Sequence, residues 1–186
     1  YTHVFPLLMD RGWHGAFFPP VNVITQSEML DVNKIHFIMA AEPNTETLIK
    51  AVKEYLDENQ HRPEFRDFDS YWQELAVTTR FDGVDVCFVK SMLQHALPEA
   101  DRNALASRLF KSTVAVDEVS FAREIYMTEA QLKLMINCGM YVGSHGAKHY
   151  WMDRLDPVKQ AEEVDASLAF LRAIGARTDQ WVMCYP

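Results

Sequence analysis

Cys138-Gly139-Met140-Tyr141-Val142-Gly143-Ser144-His145-Gly146-Ala147-Lys148-His149 is the stretch on which the reading of this chain turns. It begins at the end of a helix, runs through a short apolar strand, Met140 to Val142, and finishes in two histidines four residues apart. On one side of a helix or tight turn, that spacing brings two imidazole nitrogens close enough to share a metal ion. Gly146 and Ala147 between them let the chain turn sharply and leave room for an ion and a ligand. With seven histidines in 186 residues, spacing alone leaves a second reading open, that of two surface or core histidines that fall four apart by accident.

The surrounding composition bounds the answer. A chain of 186 residues with a 48% apolar fraction is long enough for one domain with a full core. Charged residues are spread evenly and Gly and Pro are sparse, which excludes a low-complexity or disordered segment. A formal net charge of -8, with no Lys/Arg cluster, excludes the basic face that a nucleic-acid partner requires. Cys87, Cys138 and Cys184 are odd in number and widely spaced, so they read as small buried residues of a reducing compartment rather than a disulfide framework. No run is long enough to span a membrane, and no signal peptide is visible.

Outward from the histidines the chain has an α/β rhythm at both ends. Residues 2 to 11 read as a helix with Val4, Leu7 and Leu8 on one face and Gly12 at its C-terminus. Trp13 to Phe18 reads as a buried strand closed by Pro19-Pro20. The run Val32 to Ala41 is helix or strand. From residue 44 to 125 apolar stripes mark a helical block, opened by Asn44 or Thr45 as a cap and carried by Leu48, Val52, Tyr55 and Leu56. Thr128-Glu-Ala-Gln131 has the spacing of a capping box, opening a helix that ends at Gly139. Met140 to Val142 follows as a strand, and the two histidines stand at its C-terminal end, where ligands gather in α/β sheets and barrels. Asp156-Pro157 opens a helix whose apolar positions are Ala161, Val164, Leu168 and Leu171. Trp181 to Cys184 reads as the last strand.

Three segments together resemble the polysaccharide deacetylases (carbohydrate esterase family 4, the NodB-homology domain). Gly143-Ser144-His145-Gly-Ala-Lys-His149 is similar to that family's second motif. Phe5 to Phe18 resembles its first helix and second strand. Met183-Cys184-Tyr185-Pro186 resembles the start of its third motif. The resemblance implies a single domain over 1–186 with the fold of a deformed (β/α) barrel, incomplete at both ends, and a mainly helical insertion at 31–125. It implies one divalent metal, most often zinc, held by His145 and His149 and by an Asp outside these residues. Tyr185 would line the wall of the substrate pocket. The implied reaction is metal-assisted hydrolysis of an acetyl group on a carbohydrate substrate, in which the metal polarises the carbonyl and acidifies water while a carboxylate base and an acid move protons.

The departures are equally specific. The family's first motif, with the base Asp and the third ligand, would lie upstream of Tyr1, and the acid His beyond Pro186. Cys184 stands where many members have an Arg, and Gly146 where most have Ser or Thr. Phe81-Asp82-Gly83 resembles the first motif but lies in the wrong place and reads as a turn. Asp153 is a candidate substitute ligand whose ordinary role is to face solvent or cap a turn, and His14 lies too near the start of its strand to meet the site. The free cysteines and the missing signal point to a cytoplasmic enzyme. Two other readings stay open: removal of a formyl or other small acyl group from an amino sugar, and a non-catalytic carbohydrate-binding or scaffolding protein with a degenerate site, which Cys184 and Gly146 favour.

Overall fold

A computed structural model describes all of residues 1–186. In chain order the elements are α1 (Val4–Asp10), β1 (Ala16–Phe17), α2 (Val21–Thr25), α3 (Asp31–Ala41), α4 (Thr45–Asn59), α5 (Phe68–Leu75), α6 (Val84–Ser91), α7 (Glu99–Thr113), α8 (Glu118–Ile125), α9 (Glu129–Asn137), β2 (Tyr141–Val142) and α10 (Pro157–Ala173). A π-helical turn, Met92–Ala96, prolongs α6, and a 3-10 turn, Met152–Arg154, precedes α10.

The local signals in the sequence set the helix ends. The side chain of Asn44 accepts the amide of Glu46, capping α4. Thr128 and Gln131 close a reciprocal capping box on α9, and Asp156 accepts the amides of Val158 and Lys159 ahead of Pro157. Each cap satisfies amides that the first helical turn leaves without partners. Gly12, Gly139 and Gly175 take the left-handed conformation just past α1, α9 and α10.

The expected (β/α) barrel is not formed. Helix accounts for 60% of the residues and strand for 3%, in one two-stranded parallel sheet. Trp13 to Phe18 contributes only the two residues of β1, because Pro19 and Pro20 have no amide with which to extend a ladder. Trp181 to Cys184 is not a strand but a single parallel bridge, Met183 to Ser144. Paired segments this short cannot close a sheet on itself, and the helices, not a strand ladder, organise the chain.

Two compact units result, one of Tyr1–Leu30 with Val119–Pro186, the other of Asp31–Glu118. In the first, β1 and β2 pair in parallel with Ala16 opposite Tyr141 and Phe17 opposite Val142. Phe5, Val21, Leu132, Met135, Val142, Phe170, Leu171 and Ile174 pack into its core. The buried face of α10 is Glu163, Ser167, Phe170 and Leu171; of the apolar stripe the sequence offers, Leu171 is buried and Leu168 packs against the core, while Ala161 is exposed.

In the second unit, Val32 to Ala41 is helical, and Ile35 and Ile38 of α3 are fully buried. Phe68, Trp72 and Phe88 cluster with ring centres 4.8 to 5.8 Å apart, Phe68 stacked on Trp72 and edge-on to Phe88. Phe81-Asp82-Gly83 is a turn. Thr79 Oγ1 accepts the amides of Phe81 and Asp82, and Lys90 pairs with Asp82 at 2.6 Å. Lys34 is buried, and its ammonium reaches Asp31 (3.3 Å), Glu118 (2.9 Å) and the Ser107 hydroxyl (2.9 Å). The buried ammonium thus has two carboxylates and a hydroxyl around it, as a buried cation requires. Burial pushes the Asp31 carboxyl up, against the pull of Lys34. No helix is long and apolar enough to cross a membrane.

A second buried polar group joins α4 to α7. The Tyr55 hydroxyl donates to Asp101 Oδ1 at 2.8 Å, and Arg62 donates to both oxygens of the same carboxylate, at 2.7 and 3.0 Å. Burial and then the Asp101 carboxylate push the Tyr55 hydroxyl up to about 12. The folded value lies above the unfolded one of about 10, so the stability this group contributes is fully present below about pH 10 and is lost as pH rises through about 12. Tyr55→Phe is expected to abolish that alkaline loss, seen as denaturant melts at rising pH. It is also expected to cost about 1–3 kcal/mol near neutrality, because Asp101 loses a donor. The difference in tyrosinate absorbance between the two proteins gives the titration of Tyr55 directly.

Candidate functional site

The histidine pair sits where three extended segments meet. Tyr141 and Gly143 donate their amides to Gly15 and Phe17 on one side (2.9 Å each), and Ser144 exchanges backbone hydrogen bonds with Val182 and Cys184 on the other (3.0 and 2.9 Å). Gly143 is required in the middle. A Cβ there would lie 2.5 Å from the Phe18 ring and 2.7 Å from the Val182 carbonyl oxygen. Beyond Ser144 the chain leaves the sheet as a turn, neither helix nor strand, that carries both histidines.

Other elements hold the backbone of this turn from both sides. The amides of Val21 and Asn22, at the start of α2, donate to the carbonyls of Gly146 (3.3 Å) and Ala147 (2.9 Å). The amides of Ala147 and Lys148 converge on one oxygen, Glu163 Oε2 of α10, at 2.7 and 2.9 Å. One turn further along α10, the Ser167 hydroxyl meets that of Ser144 at 2.8 Å, both enclosed. Gly146 has φ +75°, and a Cβ there would lie 2.9 Å from Glu163 Oε2. His149 has φ +65°, a left-handed conformation that costs a residue with a side chain about 1–2 kcal/mol.

The two imidazoles meet edge to face, ring centres 4.6 Å apart and planes at 81°. His145 Nδ1 lies 2.7 Å from the carbonyl oxygen of Cys184. A carbonyl only accepts, so Nδ1 carries the proton and the lone pair is on Nε2. A backbone carbonyl holding one ring nitrogen while the other faces a ligand is the usual support of a metal-binding histidine. Burial, and then repulsion from the neighbouring His145 whenever that ring is protonated, hold the His149 imidazole below its ordinary value, so its neutral, ligating form is favoured. Neutral imidazoles are donors of the kind a divalent metal takes. No group of three or more His, Cys, Asp or Glu side chains that could hold a metal is formed.

Of the remaining sequence candidates, Tyr185 follows the Cys184 carbonyl that His145 touches, and the residue is 71% exposed. Asp153 is exposed, 3.8 Å from Arg154. His14 hydrogen-bonds through Nδ1 to the Gly139 carbonyl at 3.0 Å, supporting the end of α9. Glu163, Ser167 and the α2 amides escape sequence reasoning. The one signal for the first two is a polar pair four residues apart on a helix, which hydropathy assigns to the solvent side.

Gly146→Ala is expected to cost about 1–2 kcal/mol from backbone strain and more from contact with Glu163, read as denaturant unfolding. By histidine proton NMR, His149 is expected to titrate below the ordinary histidine value of 6.5. His145→Ala moves that midpoint upward without restoring it, because burial is the larger cause.

No protein-family model, curated protein or solved structure that was compared with the chain matches it.

Proposed function

We propose that the chain contributes His145 and His149 as two ligands of a divalent metal, zinc first among them, in a hydrolase that removes an acetyl group from a sugar. The observation that carries this reading is the paired imidazoles 4.6 Å apart, with His145 Nδ1 engaged by the Cys184 carbonyl so that Nε2 is left as donor. The resemblance of Gly143 to His149 to the second motif of the polysaccharide deacetylases supports the sugar-acyl substrate class. The barrel of that family plays no part in the proposal. A bound metal supplies polarisation of the acyl carbonyl and a more acidic water. The residues of this chain hold and orient the site: the two histidines as ligands, the Cys184 carbonyl as the group that fixes the tautomer of His145, and Tyr185 as a wall of the substrate pocket. On the resemblance, the third ligand, the carboxylate base and the acid imidazole come from residues outside Tyr1–Pro186. Other small acyl groups on an amino sugar, formyl included, suit the same chemistry.

A second reading is binding without catalysis. Exposed aromatic residues lie close in sequence to both arms of the pair, Trp151 two residues after His149, and Trp181 and Tyr185 on either side of Cys184. Such rings are surfaces on which the apolar face of a sugar stacks.

The test is metal analysis and zinc titration of the full-length protein beside its His145→Ala, His149→Ala double variant, followed by acetate release from a panel of N- and O-acetylated sugars. The expected result is stoichiometric zinc in the parent and none in the double variant, with acetate release lost in parallel. Equal zinc in the two overturns the metal assignment. Zinc binding and sugar binding without acetate or formate release favours the binding protein.

A further inference from the structure

Glu163 is a buried carboxylate that no proton-transfer or ligand role claims. Both of the hydrogen bonds it accepts come from the turn between the two histidines, and both converge on Oε2. Ala147 and Lys148 are the residues directly before His149, whose φ of +65° is one of only three left-handed values at non-glycine positions in the chain. Such a conformation persists only where the surroundings over-determine it. Here the carbonyl side of the turn is fixed by the α2 amides and the amide side by Glu163. Two charge-assisted bonds on one oxygen form the strongest of these ties. Ser167, one turn on along α10, binds Ser144, ahead of the histidines rather than between them.

We infer that Glu163 is a positioning residue for the histidine pair: its carboxylate fixes the turn that presents His145 and His149 to a divalent cation. It acts through the backbone of Ala147 and Lys148. The affinity part of this inference rests on the metal reading above; the placement of the rings does not.

The experiment uses the whole chain with Glu163→Ala, which removes the acceptor, and Glu163→Gln, which keeps an oxygen that both amides can share. Asp156→Ala is the control, since it uncaps α10 without touching the turn. Two readings are taken well below the melting transition: nuclear Overhauser contacts between the rings of His145 and His149 in metal-free protein, and affinity for zinc by chelator competition. Glu163→Ala is expected to lose the ring contacts and to bind zinc about 10- to 100-fold more weakly, the usual effect of removing a group that orients metal ligands. Glu163→Gln is expected to recover most of both, and Asp156→Ala to change neither. Ring contacts and zinc affinity like the parent's in a folded Glu163→Ala overturn the inference, and so does an equal loss in Asp156→Ala. Where Glu163→Ala does not fold, Glu163→Asp, one methylene too short, takes its place: lost ring contacts and weaker zinc binding support the inference, and parent-like values overturn it. If the parent binds no zinc, the metal reading falls and the ring contacts alone decide the role of Glu163.

Discussion

Two backbone amides, those of Ala147 and Lys148, point into the interior and receive a single carboxylate oxygen from Glu163 of α10. An unpaired buried amide costs as much as a lost hydrogen bond, so the turn keeps its shape only while that oxygen is in place. The direction of both imidazoles follows from it. The turn also obliges Gly146 to lack a side chain, because the oxygen fills the space a Cβ would need. Ser144 and Ser167 extend the same polar seam one helical turn along α10. A face that could have been wholly apolar thus gives two positions to fixing a loop.

The other unit uses buried charge in the same way but for internal cohesion. Lys34 draws together Asp31, Ser107 and Glu118, and Asp101 draws together Tyr55 and Arg62. Partnering is the condition under which buried charge can offset its desolvation, and at Asp31 burial still outweighs the pull of Lys34. Removal of one partner leaves the others uncompensated. Both clusters are therefore more sensitive to substitution than an apolar contact of similar size.

What the sequence discloses about this protein is mostly local. Asn44, Thr128 with Gln131, and Asp156 with Pro157 cap helices through hydrogen bonds made within three residues, so chemistry alone locates them. The two histidines are legible as a pair for the same reason. The absence of a barrel is not legible, because an apolar run such as Trp181 to Cys184 has the composition of a strand whether or not partners extend along it. Hydropathy reads α10 only in part: Leu171 is buried as its stripe implies, but Glu163 and Ser167, which it places in solvent, are buried against partners 15 to 23 residues away in the chain. Polar residues whose partners are non-local carry no signature in a window of sequence.

The pairing of β1 with β2 has a further consequence, for the order in which the molecule assembles. Gly15 and Met140 touch across 125 residues of chain, and the strand that leads into the histidine turn is held by that contact on one side and by the one to Val182 on the other. Closing so long a loop carries an entropic cost that grows with the logarithm of its length. Asp31–Glu118, a compact unit with its own core, shortens the effective loop when it folds first. On that account the inserted helices act as a folded bracket in time as well as in sequence, and the two imidazoles come together late, after the distant ends of the chain have met.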